Sequence, residues 1–406
     1  MTRREQIAAL VREEMQELPV ESAAAAEGHP LVLPPYGADE VIDALDALLS
    51  THVTMGRRCR DFEATWATYC GRKHGVMVNS GSSAVLLMLA ACIATGRLSP
   101  GDEVLCPAVT WSTSLFPIVQ CGLVPVMVDV DPGTLCISPA SARAARGPRT
   151  RAVIAVHLLG QPADIDAFDD DLLVLEDACG AHGAQYKGRR VGSLGGAASF
   201  SFFFSHHITT IEGGMIVTDS DALADAMRSA RAHGWVRERE DRAGWVSRHR
   251  EIDPRFLFVS SGYNLRPTEV AGAFGLVQAR RLPAWVARRR QNHRDWSAKL
   301  RELVGVFEEA PGTEHAGFAF PMLVRPGRDR ASLMAFLEAR RIETRPISGS
   351  NLARQPAFAS LDARCPVPLT MADAVHERGF FVGNSHAFGP EHGERLAAAI
   401  AQWSQT

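Results

Sequence analysis

Lysine is nearly missing from this sequence. Of 43 Lys+Arg residues only three are lysines, Lys73, Lys187 and Lys299. Coding bias toward arginine accounts for a lysine-poor surface, but any mechanism that needs a lysine amine has three candidates and no more. Paired cysteines are missing as well. The eight cysteines stand at 59, 70, 92, 106, 121, 136, 179 and 365 with no CxxC among them. Most lie in apolar runs such as EVLCPAVTW around Cys106, which fits buried free thiols and speaks against a zinc site or a disulfide framework. No sign of charge predominates: 46 Asp+Glu against 43 Lys+Arg give −3, which argues against an electrostatic nucleic-acid binder. No apolar run approaches the ~18 residues of a membrane span. The opening MTRREQIAALVREEMQEL reads as a charged amphipathic helix without a signal-peptide core, so the expected location is the cytoplasm.

What is present is an alternation of apolar runs and helical patterns from about residue 74. HGVMVNS, DEVLCPA, VPVMVDV, RAVIAVHLLG and DLLVLEDA are continuously hydrophobic, as parallel strands covered on both faces are. Helical stretches such as SSAVLLMLAACIATG between them imply βαβ units in an α/β fold. ASFSFFFSHH and GGMIVTDS follow closely enough to suggest a local strand reversal. A helical pattern then runs from PTEVAGAFGLVQ to about Leu300, and a smaller α+β region follows. The length suits one large domain with a smaller one, and the expected division is an N-terminal helical extension (1–30), a large domain (31–290) and a small C-terminal domain (291–406). Residues 236–258, charged and poorly periodic, read as an active-site loop or mobile segment.

Four motifs carry chemistry. In NSGSSA (79–84) a strand runs into a helix; Gly81 permits close backbone approach and the amides of Gly81 and Ser82 can cradle a phosphate, although an ordinary serine cap reads the same way. In LEDACGAHG (175–183), Asp177 ends an apolar strand, where such folds bind ligands. It is suited to a protonated pyridine nitrogen, a helix-capping aspartate being the alternative. SFSFFFSHHITTIEGG (199–214) and GYNLRPTEVAGAFGLVQ (262–278) complete the set. In this order they resemble the DegT/StrS family of nucleotide-sugar aminotransferases and dehydratases, from about Pro34 to the C-terminus, including LPPYGADEVIDALDALLSTHVTMGRRCRDFE and RPISGSNLARQPAF.

The resemblance implies a fold-type I pyridoxal phosphate (PLP) enzyme, with a mostly parallel seven-stranded-type sheet between helices and a smaller α+β C-terminal domain. It implies Gly81, Ser82 and Ser201 at the cofactor phosphate, Trp111 stacked on the ring and Asp177 at its nitrogen. Asn264 would reach the phosphate of a neighbouring subunit's cofactor, hence a homodimer with shared sites. Gly180 departs from the pattern, since many members place a glutamine there. Arg345, Asn351 and Arg354, in TRPISGSNLARQP, are the implied substrate contacts, a solvated loop being the alternative.

The decisive departure is position 206. Family aminotransferases read S-F-x-x-x-K, and the lysine bonds the cofactor covalently; here Ser201-Phe202-Phe203-Phe204-Ser205 leads to His206. Lys73, Lys187 and Lys299 belong to two turns and a helix elsewhere. A histidine in this slot marks the sugar 3-dehydratase branch, which uses the amine form of the cofactor, pyridoxamine phosphate (PMP). His206, with an ordinary pKa of about 6.5, would be the catalytic base together with Asp177. His207 would support or pack on the substrate side. One kind of dehydratase holds a two-iron, two-sulfur cluster and draws on a reductase. Cys179 matches its first ligand, but no cysteine occurs between 179 and 365, so no iron–sulfur cluster and no metal are expected. The other kind uses L-glutamate to restore PMP. The expectation is removal of the 3-hydroxyl from a nucleotide-linked 4-keto-6-deoxyhexose. The alternatives are a lysine-free aminotransferase-like enzyme on another keto sugar or cyclitol, or a silent sugar- or cofactor-binding sensor.

Overall fold

The computed structural model describes residues 1–16 and 28–405. The N-terminal helix, expected over 1–18, is seen as α1 (Arg3–Gln16). Residues 17 and 18, like most of the remaining extension, lie outside the described residues. No described helix is long and apolar enough to cross a membrane.

Seven strands form the central sheet: β1 (His74–Val78), β2 (Glu103–Pro107), β3 (Val124–Val128), β4 (Thr150–Val156), β5 (Leu173–Asp177), β8 (Ala197–Ser201) and β9 (Gly214–Thr218), in the order β1-β9-β8-β5-β4-β2-β3. The pairs from β3 to β8 are parallel, and β9 alone runs against its neighbours, which is the reversal expected from the short spacing of its motif. Strands β1, β2, β3, β8 and β9 are buried at every residue. Unbroken hydrophobic runs are what a sheet covered on both faces requires. Two short strands, β6 (Gln185–Tyr186) and β7 (Arg189–Arg190), pair with each other, and β6 also pairs with β11 (Thr313–Glu314).

A 32-residue helix, Glu269–Leu300, joins the two halves. Thr268 caps it by accepting from Ala271 N–H. Its first half packs on the cluster of Phe62, Trp66, Phe200 and Phe202, and its last turns place Trp296 and Leu300 in a second core with Phe320, Phe380 and Leu396. That second core covers an antiparallel sheet of β10 (Gly305–Val306), β12 (Ala319–Leu323), β14 (Gly379–Gly383) and β13 (Thr344–Pro346).

The two cores do not follow a single cut in the chain. Leu33 belongs to the C-terminal core, and His29 bridges Ile342 there, while Pro35 accepts from Gln278 of the long helix. Conversely Ile347, Leu352, Ala372 and Val375 join the core of the large sheet. Asp129, just past β3, receives the N–H groups of Met371 and Ala372, and Arg364 reaches back to Glu103.

The 236–258 segment is more ordered than a loop. It contains a helix, Arg242–Arg248, and a turn at Pro254–Phe256. Arg239 and Arg248 both lie against the Trp245 ring, so cation–π contacts hold what has no hydrophobic periodicity.

Candidate active site

A cleft of ≈ 790 Å³ opens at the carboxyl ends of the parallel strands, walled on its far side by the C-terminal body. Asp177 is the last residue of β5 and 6% exposed. One carboxylate oxygen accepts from Ser114 Oγ at 2.6 Å and the other from Cys179 N–H at 3.1 Å. Ser114 in turn lies 2.7 Å from Thr110 Oγ1. Sequence reasoning missed this hydroxyl pair; Ser114 and Asp177 are 63 residues apart and nothing local in either segment announces the contact.

Across the cleft, Gly81 opens the helix Gly81–Ala94. Ser80 caps that helix by accepting from Ser83 N–H, and the amides of Gly81 and Ser82 are among the first-turn donors that have no acceptor within a helix. A Cβ on Gly81 would stand 2.5 Å from Ser201 Cβ, and one on Gly214 would stand 2.2 Å from Ser80 O. Backbone and the Ser201 hydroxyl therefore converge where side chains have been kept out. That cradle, with a carboxylate at the opposite end, fits a pyridoxal-type cofactor: phosphate at the helix N-terminus, ring nitrogen at Asp177. Trp111 precedes the helix Ser112–Gln120 and lines the cleft with 63% of its surface uncovered by the chain. At Gly180 a Cβ would meet nothing nearer than 3.7 Å, so the backbone there does not itself demand glycine.

His206 lies half-buried in the cleft lining. Its ring sits edge-on to Phe318 at 5.1 Å, and its Nδ1 is buried without a hydrogen-bond partner. Burial, and then the Arg289 guanidinium, push its pKa down from the ordinary value to about 4, so at neutral pH the ring is a free base. His207 also lines the cleft, but both of its ring nitrogens are engaged inside the protein, which suits support better than substrate contact. Arg289, on the long helix, donates to the carbonyls of Phe318 and Asn384. Its sequence context, Arg288 to Arg290, looks like an ordinary solvated run, which is why it escaped notice.

Other expected site residues lie elsewhere. Arg345 is in the cleft wall. Asn351 and Arg354 are not; both bond Asp373 Oδ1 at 2.7 Å, and Asn351 is 2% exposed. In this chain they tie the returning segment to Asp373 and do not line the cleft. Asn264 is exposed outside the cleft and accepts from Arg266. All three lysines are spent on surface carboxylates: Lys73 on Asp221, Lys187 on Asp166 and Lys299 on Glu394. None lines the cleft. Cys179 does, with a thiol raised well above its usual pKa by burial and by Asp177. Among the described residues no group of His, Cys, Asp and Glu is arranged to hold a metal.

Residues 35–401 match the DegT/DnrJ/EryC1/StrS aminotransferase family. The chain belongs to this family. Within it, the chain is similar to the GDP-4-keto-6-deoxy-D-mannose 3-dehydratase of Yersinia pseudotuberculosis, 36% identical over 364 residues that cover 85% of this chain and 91% of that protein. It is similar to the dTDP-4-dehydro-2,6-dideoxy-D-glucose 3-dehydratase of Saccharopolyspora spinosa, 36% identical over 371 residues, 85% of this chain and 80% of that one. A crystal structure of GDP-4-keto-6-deoxymannose-3-dehydratase with a trapped PLP-glutamate geminal diamine superposes with TM-score 0.85 at 32% identity, over 92% of this chain and all of that one. The fold is thus that of the PLP-dependent aminotransferase enzymes, and PLP is the cofactor of the DegT/DnrJ/EryC1/StrS relatives in this group.

Proposed function

We propose that this chain is a PMP-dependent dehydratase that removes the 3-hydroxyl of a nucleotide-linked 4-keto-6-deoxyhexose, with L-glutamate restoring the amine form of the cofactor. One observation carries the reading: the cleft opposite Asp177 holds an uncharged histidine where a lysine is required for transamination, and every lysine of the chain is tied to a surface carboxylate. When bound, the cofactor supplies an amine for the keto carbon and an electron sink that lets a proton leave its methylene carbon.

The chain's own residues do the rest. Gly81, Ser82 and Ser201 would hold the phosphate, Trp111 would pack on the ring, and Asp177 would keep the ring nitrogen positive. Ser114 and the Cys179 amide aim the carboxylate. His206 takes a proton and returns it to the departing 3-hydroxyl. A group with pKa near 4 is a weaker base than an ordinary imidazole for the abstraction and a readier donor for the return. Arg345 and the rest of the outer wall face the nucleotide sugar, and Asn264 serves the cofactor of a second copy, which makes the working unit a homodimer in the cytoplasm. Relatives with GDP and dTDP sugars leave either nucleotide compatible with this reading.

The test is incubation with a panel of nucleotide 4-keto-6-deoxy sugars plus L-glutamate. The expected product is lighter by one oxygen atom and appears with equal amounts of 2-oxoglutarate and ammonia. A product carrying nitrogen in place of the keto oxygen would overturn the reading, as would borohydride fixing cofactor to a lysine.

A further inference from the structure

Three imidazoles meet at and beneath the floor of the cleft, and the reaction proposed above uses only His206. His182, in the turn after β5, is 0% exposed, and His207 is 2% exposed. Their Nδ1 atoms face each other at 3.2 Å, and His207 Nε2 lies 3.1 Å from the carbonyl oxygen of Ala316. A carbonyl oxygen only accepts, so His207 Nε2 carries the hydrogen. A neutral ring protonated there accepts at Nδ1, which puts the shared hydrogen on His182 Nδ1. His182 Nε2 is buried and makes no hydrogen bond, while the Ser201 backbone carbonyl beside this ring works against its burial. Burial above all keeps both rings neutral, seconded by His206 and Arg289 around His182 and by Arg289 and the neighbouring imidazoles around His207. Each tautomer follows from the next, starting at Ala316.

Ala316 belongs to the wall on which His206 rests. Its N–H donates to Gly160 O at 2.9 Å, and Phe318 N–H donates to Leu159 O at 3.2 Å, so the 316–318 segment is fixed to the large body. The Phe318 ring then meets His206 at 5.1 Å and His207 at 5.6 Å. His206 is held through its backbone, by the bond from its N–H to Phe203 O, and by contacts of its ring, but its Nδ1 binds nothing. The aim of that ring therefore depends on how firmly the 203–207 turn is fastened to the 316–318 wall, and the His207–Ala316 bond is a fastener.

We propose that His207, its tautomer set by the Ala316 carbonyl and supported by His182, is a positioning residue for His206. The proposal rests on the reading of His206 as the proton carrier. The test measures kcat and KM for L-glutamate in the conversion of bound PLP to PMP, followed by absorbance on folded, cofactor-loaded enzyme without any sugar. His207→Leu removes the fastener; kcat is expected to fall on the order of 10²-fold, the cost of a misplaced reacting group, with KM and cofactor retention unchanged. His207→Gln, whose amide can still donate to Ala316, should recover most of that loss, which a merely space-filling role would not produce. Should His207→Leu fail to fold, His182→Phe, which keeps an aromatic ring beside Trp66, Phe200 and Phe202, removes the inner donor and should lower kcat in the same selective way. A native kcat in the foldable variant, or a Gln variant as slow as Leu, overturns the proposal alone. Native enzyme that converts no PLP with glutamate overturns the functional reading and this proposal with it.

Discussion

The two acidic residues that end β5 point to opposite faces of the sheet, one into a closed core and the other into the cleft. Glu176 is wholly buried and saturated. It accepts from His157 Nε2 at 3.1 Å and from the amides of Gly192, Leu194 and Gly195 at 2.7–2.8 Å. His157 accepts Ala163 N–H at its other nitrogen, so its tautomer too is settled. Burial pushes the Glu176 pKa up, but the His157 bond and those amides outweigh it and hold the carboxyl below its usual range. On the other face, Asp177 has two donors and an open side, and His206 has a buried nitrogen with none. Where every polar atom is satisfied, the pair is architecture. Where a carboxylate keeps an open side toward a cleft that an unprotonated imidazole also lines, the pair is available for chemistry.

The largest way to break this comparison is His206→Asn. Loss of the proton carrier should cost ~10²–10⁴-fold in dehydration, while the absorbance of bound cofactor survives; full turnover in that variant would place the proton transfer elsewhere. On the satisfied face, Glu176→Gln should cost about 1.5–3 kcal/mol of stability, the usual worth of hydrogen bonds to a charged group, measured by urea unfolding. Turnover of the folded fraction should not change, and a selective loss of kcat would erase the distinction between the two faces. The smallest effect concerns pH. With its folded pKa lowered to about 4, His206 stays a base through the range in which an ordinary histidine protonates. The proton-abstraction step should therefore hold steady from neutrality to about pH 5 and fall only as pH nears 4. The same depressed pKa contributes stability that is fully present above pH 6.5 and is lost as pH drops from there through 4. An acid limb centred near 6.5 in single-turnover kinetics would contradict the assignment.

Much of this was readable in the residues. Strands covered on both faces announce themselves by unbroken apolar runs, and Asp177 at a strand end and His206 in the turn after a strand lie in motifs of fixed spacing. Contacts made only by folding were not readable. Ser114 meets Asp177 because β2 and β5 flank β4, and Arg289 is buried because one side of the long helix is covered at that turn. The bonds of Asn351 and Arg354 to Asp373 were equally unreadable, because the segment holding them folds back onto the large sheet. The short helix at Arg242–Arg248 was missed because seven residues are too few to show a period.

That backward fold has a mechanical consequence. Backbone passes between the two bodies along the stretch from His29 to Pro35, along the helix Glu269–Leu300, and again where residues 347–375 return to the large sheet. A plate tethered along one line swings like a door, whereas one tethered at several separated points resists swinging and yields mainly to small twists. Opening the cleft then loads all the tethers together, so a change in the returning segment, even at residues that do not line the cleft, would alter how easily substrate enters and product leaves.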